Sequence, residues 1–313
     1  MIEIRSFLNA DLPHLADLWC IHHGAYRDPP AVSAIIFQQA IASRLFFDAS
    51  RLLVATHNQE PVAWCQWFPG DNGLASLTAL CFHTVPIAEA AIMQLLDRAE
   101  QQAHSAGMTD MSVGVHFQSA WGYQGLEPIG HGLGIDVADD RTNTLLEAAG
   151  YRETKRFDRW EVSATGYRPA VSRDSLILRR SAKIVREPSR TLPPDLAAAM
   201  VHFEVERHVL VDLRSHAVIA SALLWTSDPE ALVMPISEAI LASWSGAENP
   251  HGSDDGAAVK YLIGSLVTQL ADRRIRSLQR TVATDNLAEV ATLLATNFAR
   301  TSAGRLMSKS LRT

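Results

Sequence analysis

The stretch Leu262–Phe298, LIGSLVTQLADRRIRSLQRTVATDNLAEVATLLATNF, decides the fold. Its apolar residues recur at helical spacing up to Arg273, so an amphipathic helix runs there from Gly256 or Ala257. Ile275 to Ala283 then reads as a strand and Ala288 to Thr296 as a short helix. Asn297 stands at the position past a helix end that wants a left-handed backbone, and asparagine takes that backbone cheaply. Phe298 to Lys309 reads as a closing strand.

Working outward, the same order appears earlier in the chain. Leu52–Thr56 and Pro61–Phe68 alternate as strands around the turn residues His57-Asn58-Gln59-Glu60. Leu74–His83 is a third strand. Pro86 opens a helix that Gly107 stops, and Met111–Phe117 is a strand. A helix capped by Asp139 or Asp140 ends at Gly150, and Tyr151–Val162 is again a strand. Ahead of this lie a strand at Ile2–Phe7, a helix capped by Asn9 and a second helix over about Ala31–Phe47. Between the halves, Ser163–Asp174 reads as a connector, Leu176–Val185 as strand-like and Pro188–Pro194 as a breaker-rich link. Phe203–Asp212 and Ala217–Thr226 form a hairpin, and Met234–Trp244 a strand.

Hairpin, strand, long helix, strand, short helix, strand: the order occurs twice, at a period of about 150 residues, which points to internal duplication. The expected fold is α/β (α+β), two units each of a twisted mixed sheet flanked by helices. The expected layout is 1–165, a connector with a bridging strand over 166–194, and a shorter copy over 195–313.

With 313 residues, 47% apolar and 20% charged, the chain has material for two cores. The balance of 28 Lys+Arg against 34 Asp+Glu gives a net charge of −6. That balance disfavours a nucleic-acid partner, whose binding needs cations on phosphates. An acidic balance suits a cationic amine. Cys20, Cys65 and Cys81 form no CxxC pair, so free thiols in a reducing cytosol are expected. No apolar run is long enough to span a membrane. No metal site is expected either, because the spacings of His202, His208 and His216 are not those of zinc ligands. His22-His23 reads as dipole complementation at a helix end. Cys81 and His83 read as core packing.

The segment Leu262–Phe298 resembles the C-terminal core of the GNAT superfamily of N-acetyltransferases. IRSFLNADLPHLADLW, Ile4–Trp19, resembles that family's opening strand and helix, and LLEAAGYRET, Leu145–Thr154, its closing helix and strand. The resemblance implies transfer of an acyl group, with acetyl-CoA as cosubstrate, to a small-molecule or peptide amine. The alternative it leaves open is a non-catalytic module that binds acyl-CoA or a protein.

The family's pyrophosphate loop reads Arg/Gln-x-x-Gly-x-Gly/Ala. Ser253 to Ala258 fits its Gly and Ala places and departs at Ser253. Gly252, Ser253, Gly256, Ala257, Ala258 and Asn286 are therefore the implied cofactor contacts, and Glu238 is the implied base. In the first half Thr84-Val85-Pro86 leads straight into the helix, so the second half is the better expected cofactor site. Leu146 and Leu293 stand where such enzymes place the tyrosine that protonates the leaving thiolate. The loop WGYQGLEPIGHGLG, Trp121–Gly134, resembles an insertion of tandem GNAT-like proteins and offers Tyr123, Glu127 and His131 as substrate contacts.

Overall fold

In the computed structural model, residues 1–26, 31–114, 126, 132–187, 203–227, 237–246 and 255–311 are described. The chain divides into two compact units, one built on Met1–Phe157 with Ser302–Thr313, the other on Asp158–Pro193 and Val201–Thr301. Among the described residues no helix is long and apolar enough to cross a membrane.

The first unit begins with β1 (Ile2–Ser6), α1 (Leu12–Gly24) and α2 (Ala34–Phe37). The helix expected over Ala31–Phe47 is shorter than that. Ser33 caps it, a π turn over Gln38–Ala42 closes with Ser43 N–H donating to Gln38, and the chain then leaves the helix with Leu45 exposed. Next come β2 (Leu52–His57), β3 (Glu60–Pro69) and β4 (Leu74–Phe82). The turn between β2 and β3 places Asn58 at φ 52° and Gln59 at φ 70°. Two left-handed residues give the turn whose twist matches the flanking strands. There follow α3 (Pro86–Ser105), β5 (Asp110–Val113), β6 (Ile135–Asp136), α4 (Asp140–Ala148) and β7 (Arg152–Ser163), of which the part up to Phe157 belongs to this unit. Of the chain's last strand, β13 (Ala299–Ser310), the part from Ser302 onward belongs to this unit.

The sheet of the first unit runs β1-β2-β3-β4-β5-β13-β7, with β6 alongside β13. Only β4 and β5 are joined there by a parallel ladder among the pairings resolved. Such a pair needs a crossover, and α3 supplies it. Its Ala91, Ile92, Leu95, Leu96 and Ala99 are fully buried against the sheet. Tyr151 and β13 are tied to α3 through Glu100, which accepts from the Tyr151 hydroxyl at 2.9 Å and from Lys309 Nζ at 2.6 Å. Burial, then the Glu100 charge, pushes the Tyr151 phenol far up, so it stays a neutral donor.

Gly134 is where β6 meets β13. It has φ 87°, and a Cβ there would lie 2.5 Å from the Arg305 carbonyl oxygen. Gly134→Ala therefore meets left-handed strain and a backbone collision together. It should cost about 1–3 kcal/mol in urea denaturation.

The second unit holds α5 (Arg173–Ser181), β8 (Ala182–Glu187), β9 (Phe203–Asp212), β10 (Val218–Ser227) and β11 (Glu238–Gly246). After these come α6 (Asp255–Asp272), β12 (Ser277–Ala283) and α7 (Leu287–Ala295). Its sheet runs β7-β12-β11-β10-β9-β8, and β11 and β12 are parallel.

One sequence expectation is corrected here. Leu176–Ser181, read as strand, is helical, and only Ala182–Glu187 is extended. Ser172 and Ser175 cap each other's backbone N–H at 3.0 and 2.8 Å, and Arg179 and Arg180 fall in the last turn, where they suit the helix dipole.

The two units repeat each other in detail. Met108 N–H donates to Ala103 and Ile275 N–H to Leu270, each at 3.0 Å. Gly107 and Arg274 both have positive φ, at 86° and 62°. Thr109 N–H donates to Gly73 at 2.7 Å, and Arg276 N–H to Ser237 at 2.6 Å. Asp139 and Asn286 cap their helices at φ −84° ψ 69° and φ −84° ψ 72°. Gly150 and Asn297 follow at φ 90° and 63°. This register equates Asp110 with Ser277, Leu74 with Glu238, and Val113 with Arg280.

Candidate functional site

In the first unit β4 and β5 run together from Leu74 and Asp110 to Leu77 and Val113. Gly114 N–H donates to Leu77 at 3.3 Å, the last contact between the two strands among the described residues. β4 continues through Phe82, paired on its other edge with β3. A cleft, or wedge, lies beyond that contact, beside Thr78–Cys81. Its floor is Thr78–Cys81 and Val113–Gly114, and its sides are Trp19, His22 and His23 of α1 and Tyr26 just after it, with Leu133–Asp136, Asp139 and Thr142. The strand edge facing it presents backbone N–H and C=O groups to whatever enters.

The second unit has the same parting after Ile240 and Gln279. There Arg280 fills it. The guanidinium donates to the Leu241 carbonyl at 3.2 Å and to the Ala242 carbonyl, pairs with Glu289 at 2.8 Å, and lies 4.9 Å from the Trp244 ring centre. Arg280 is only 8% exposed. Its donors go to the carbonyls that β12 leaves beyond its last pair with β11, so a side chain takes the place a ligand would need.

The residues singled out in the second half fall around this filled wedge. Glu238 opens β11 opposite Ser277, at the end of the ladder away from the parting. It is half-buried, and its Oε2 is buried without a hydrogen-bond partner among the described residues. Burial, reinforced by the Glu161 charge and opposed by Arg159, raises the Glu238 carboxyl to about 7. Gly256, Ala257 and Ala258 form the first turn of α6. Ala258 packs on the core, and Ala257 lines a separate groove with Tyr167, Lys260 and Tyr261. The Asn286 side chain is committed to its helix, where Oδ1 accepts from Glu289 N–H at 3.3 Å. Gly252, Ser253, Tyr123, Glu127 and His131 lie outside the described residues.

The chemistry of the first wedge comes from α1 and α4. His22 and His23 do sit in the last turn of α1, but both are buried, at 3% and 8% exposure. His22 Nε2 is 3.2 Å from Asp139 Oδ2. Asp139 Oδ1 accepts from Thr142 N–H at 3.2 Å, so helix capping fixes the carboxylate that holds the ring. Burial works against the Asp139 charge, but the His22 ring and the Thr142 hydrogen bonds outweigh it and keep the carboxyl below its usual range. His23 Nδ1 lies 2.6 Å from the Tyr26 hydroxyl. No lysine or arginine lines the wedge among the described residues. Just outside it, Arg141 donates to the His83 carbonyl at 2.8 Å with its guanidinium 4.4 Å from the Phe82 ring centre. The nearby N-terminus of α3 follows Val85, which offers no side-chain cap. Sequence alone gives Asp139 a capping role and shows nothing of its pairing with His22, since only folding joins residues so far apart in the chain. Among the described residues no group of three His, Cys, Asp or Glu side chains could hold a metal ion.

Two units that each open a parallel strand pair behind a long crossover helix define the GNAT N-acetyltransferase fold, present in tandem. The chain superposes over 100% of its length on a tandem GNAT protein from the clavulanic acid biosynthesis pathway, with TM-score 0.67, 13% identity and 99% of that chain covered. It superposes likewise on a GCN5-related N-acetyltransferase from Sphaerobacter thermophilus, with TM-score 0.65, 13% identity, 100% of this chain and 96% of that one. A glucosamine N-acetyltransferase region of a fungal multi-domain GH3 β-N-acetylglucosaminidase matches 99% of this chain and 38% of that one, with TM-score 0.67 and 13% identity. At that identity the likeness carries the fold. No protein-family profile matches the chain. No curated protein matches it either.

Proposed function

We propose that the first unit transfers an acyl group from a coenzyme A thioester to a primary amine, and that the second unit does not catalyse. The observation that carries this reading is the open wedge beside β4, set against the Arg280-filled wedge of the second unit. The amides of a thioester's pantetheine arm suit the β4 edge at Thr78–Cys81, which no described strand pairs on that side. A diphosphate is served by the uncapped start of α3, where amide hydrogens and the helix dipole attract anions. Arg141 adds a cation close by. For the acceptor, Asp136 and Asp139 favour an ammonium group through charge, and Tyr26 lines the same cleft. This reading moves the donor from residues 252–258 to the first half, and Glu238 then has no direct part in transfer. The three free cysteines suit work in the reducing cytosol.

Acetyl-CoA should raise the melting temperature. A ligand at a thousand times its Kd stabilises by about 4 kcal/mol. Thiol release should then follow when primary amines are added. Stabilisation with no thiol release would instead favour a module that only binds the thioester, and unchanged melting would remove both readings.

A further inference from the structure

We infer that His22, held by Asp139, takes the proton from the acceptor's ammonium group in the wedge of the first unit. This rests on the acyl-transfer reading above and names the group that makes its amine nucleophilic.

Three observations carry it. His22 lines the wedge and is buried, yet only one of its ring nitrogens is used. Nε2 faces Asp139 at 3.2 Å, while Nδ1 is buried with no hydrogen-bond partner among the described residues. The Asp139 carboxylate cannot rotate away, because its other oxygen caps α4 through Thr142 N–H. A fixed, ionised carboxylate accepts from Nε2–H and so leaves the lone pair on Nδ1. This is the arrangement in which a carboxylate sets the tautomer of a histidine base.

The other titratable or charged groups around His22 have contacts of their own or line the wedge beside it. His23 is bound to the Tyr26 hydroxyl. Asp136 Oδ1 accepts from Ala138 N–H at 2.9 Å. Arg141 is stacked on Phe82, whose other neighbour is the His22 ring at 4.9 Å. Cys81 lines the floor.

The proton account closes. His22 Nδ1 accepts one proton from R–NH3+, giving R–NH2 and an imidazolium that Asp139 steadies. The amine nitrogen then bonds to the thioester carbon, and the carbon–sulfur bond breaks. The nitrogen's surplus proton goes to the departing thiolate, and His22 returns its proton to solvent. Acyl-S-CoA and R–NH3+ thus become R–NH–acyl, HS-CoA and H+.

The test uses the full chain, acetyl-CoA, and a panel of alkylamines, polyamines, amino sugars and lysyl peptides. His22→Gln should keep the acetyl-CoA melting shift and lose about 10²–10⁴-fold in kcat. It should also lose the acidic limb of the kcat/KM profile. Asp139→Asn, which can still cap α4, should keep the acetyl-CoA melting shift and lower kcat, because the ring loses the carboxylate that fixes its tautomer. Long-range 15N–1H spectra of the unmodified chain should show His22 protonated at Nε2 and bare at Nδ1, a readout that no variant's folding can spoil. The opposite tautomer, or a His22→Gln enzyme with an unchanged acidic limb, overturns the inference and leaves acyl transfer standing. A wild-type chain that binds no acetyl-CoA overturns acyl transfer and the inference with it.

Discussion

Val113→Arg combined with Thr142→Glu should abolish the acetyl-CoA melting shift and reduce acyl transfer to background. The register equates Val113 with Arg280, and the matching caps Asp139 and Asn286 equate Thr142 with Glu289. The double variant therefore rebuilds in the first wedge the plug that the second already holds. Leu77 and Thr78 would offer the carbonyls that Leu241 and Ala242 offer to Arg280. The second change matters for folding. Val113 is 2% exposed, and an arginine there without a carboxylate is a buried unpaired charge, which costs several kcal/mol. Thr142→Glu would supply that carboxylate, and it falls three residues after the cap, where an acid helps the helix start. The double variant should accordingly melt near the wild type without ligand and fail to respond to 1 mM acetyl-CoA, a concentration on the order of a thousand times a micromolar Kd. The mirror change, Arg280→Val, should lower stability, because it strips Glu289 and two carbonyls of their donor, and should leave the acetyl-CoA response intact. A double variant that folds and still shows the full shift would place the donor somewhere other than the wedge beside β4.

Where short-range physics decides, the sequence is readable. Asn58 in the first hairpin, the stop of α3 at Gly107, and the left-handed Gly150 and Asn297 are set by a few neighbouring residues, and each is found where its residue type suggests. Leu176–Val185 shows the limit of that reading. Its apolar residues fit either period, and the reciprocal Ser172–Ser175 cap settles the first part as helix. The candidate site was hidden for a different reason. Open and closed wedges differ by Val113 against Arg280, and that comparison requires the strand register of both copies. Arg280 in isolation looks like an ordinary strand-surface cation, and its carbonyl acceptors lie on another strand. His22 and Asp139 likewise each have a sufficient local role, at the end of one helix and the start of another. The last strand adds a further case: Ser302 onward completes the first unit although it closes the chain, because strand order within a sheet is free of sequence order.

Glu206→Ala should destabilise the second unit by about 3–5 kcal/mol at neutral pH, the usual consequence of removing one member of a buried ionic cluster. The Glu206 side chain is fully buried on β9. Arg273 reaches it with two nitrogens at 2.9 and 2.6 Å, His208 Nε2 lies at 2.9 Å, and Arg186 at 3.4 Å. Two forked N–H bonds to one carboxylate are the strong form of this contact. His208, whose spacing from its neighbouring histidines does not suit zinc, is thus partnered by a carboxylate two residues away on its own strand. Burial opposes the charge on Glu206, but His208, Arg273 and Arg186 more than offset it and bring the carboxyl down to about 2 from an ordinary 4.5. A carboxyl depressed by folding adds stability above its unfolded value and loses it as pH falls through its folded value. The difference between wild type and Glu206→Ala in guanidinium denaturation should therefore be full above about pH 5 and shrink steadily from there toward pH 2. Arg273 and Arg186 are partly exposed and regain water when Glu206 is removed, whereas His208 is buried and cannot, so the lower end of the range is expected. A gap that stays constant from pH 7 to pH 3 would show that the site contributes packing volume and no charge pairing.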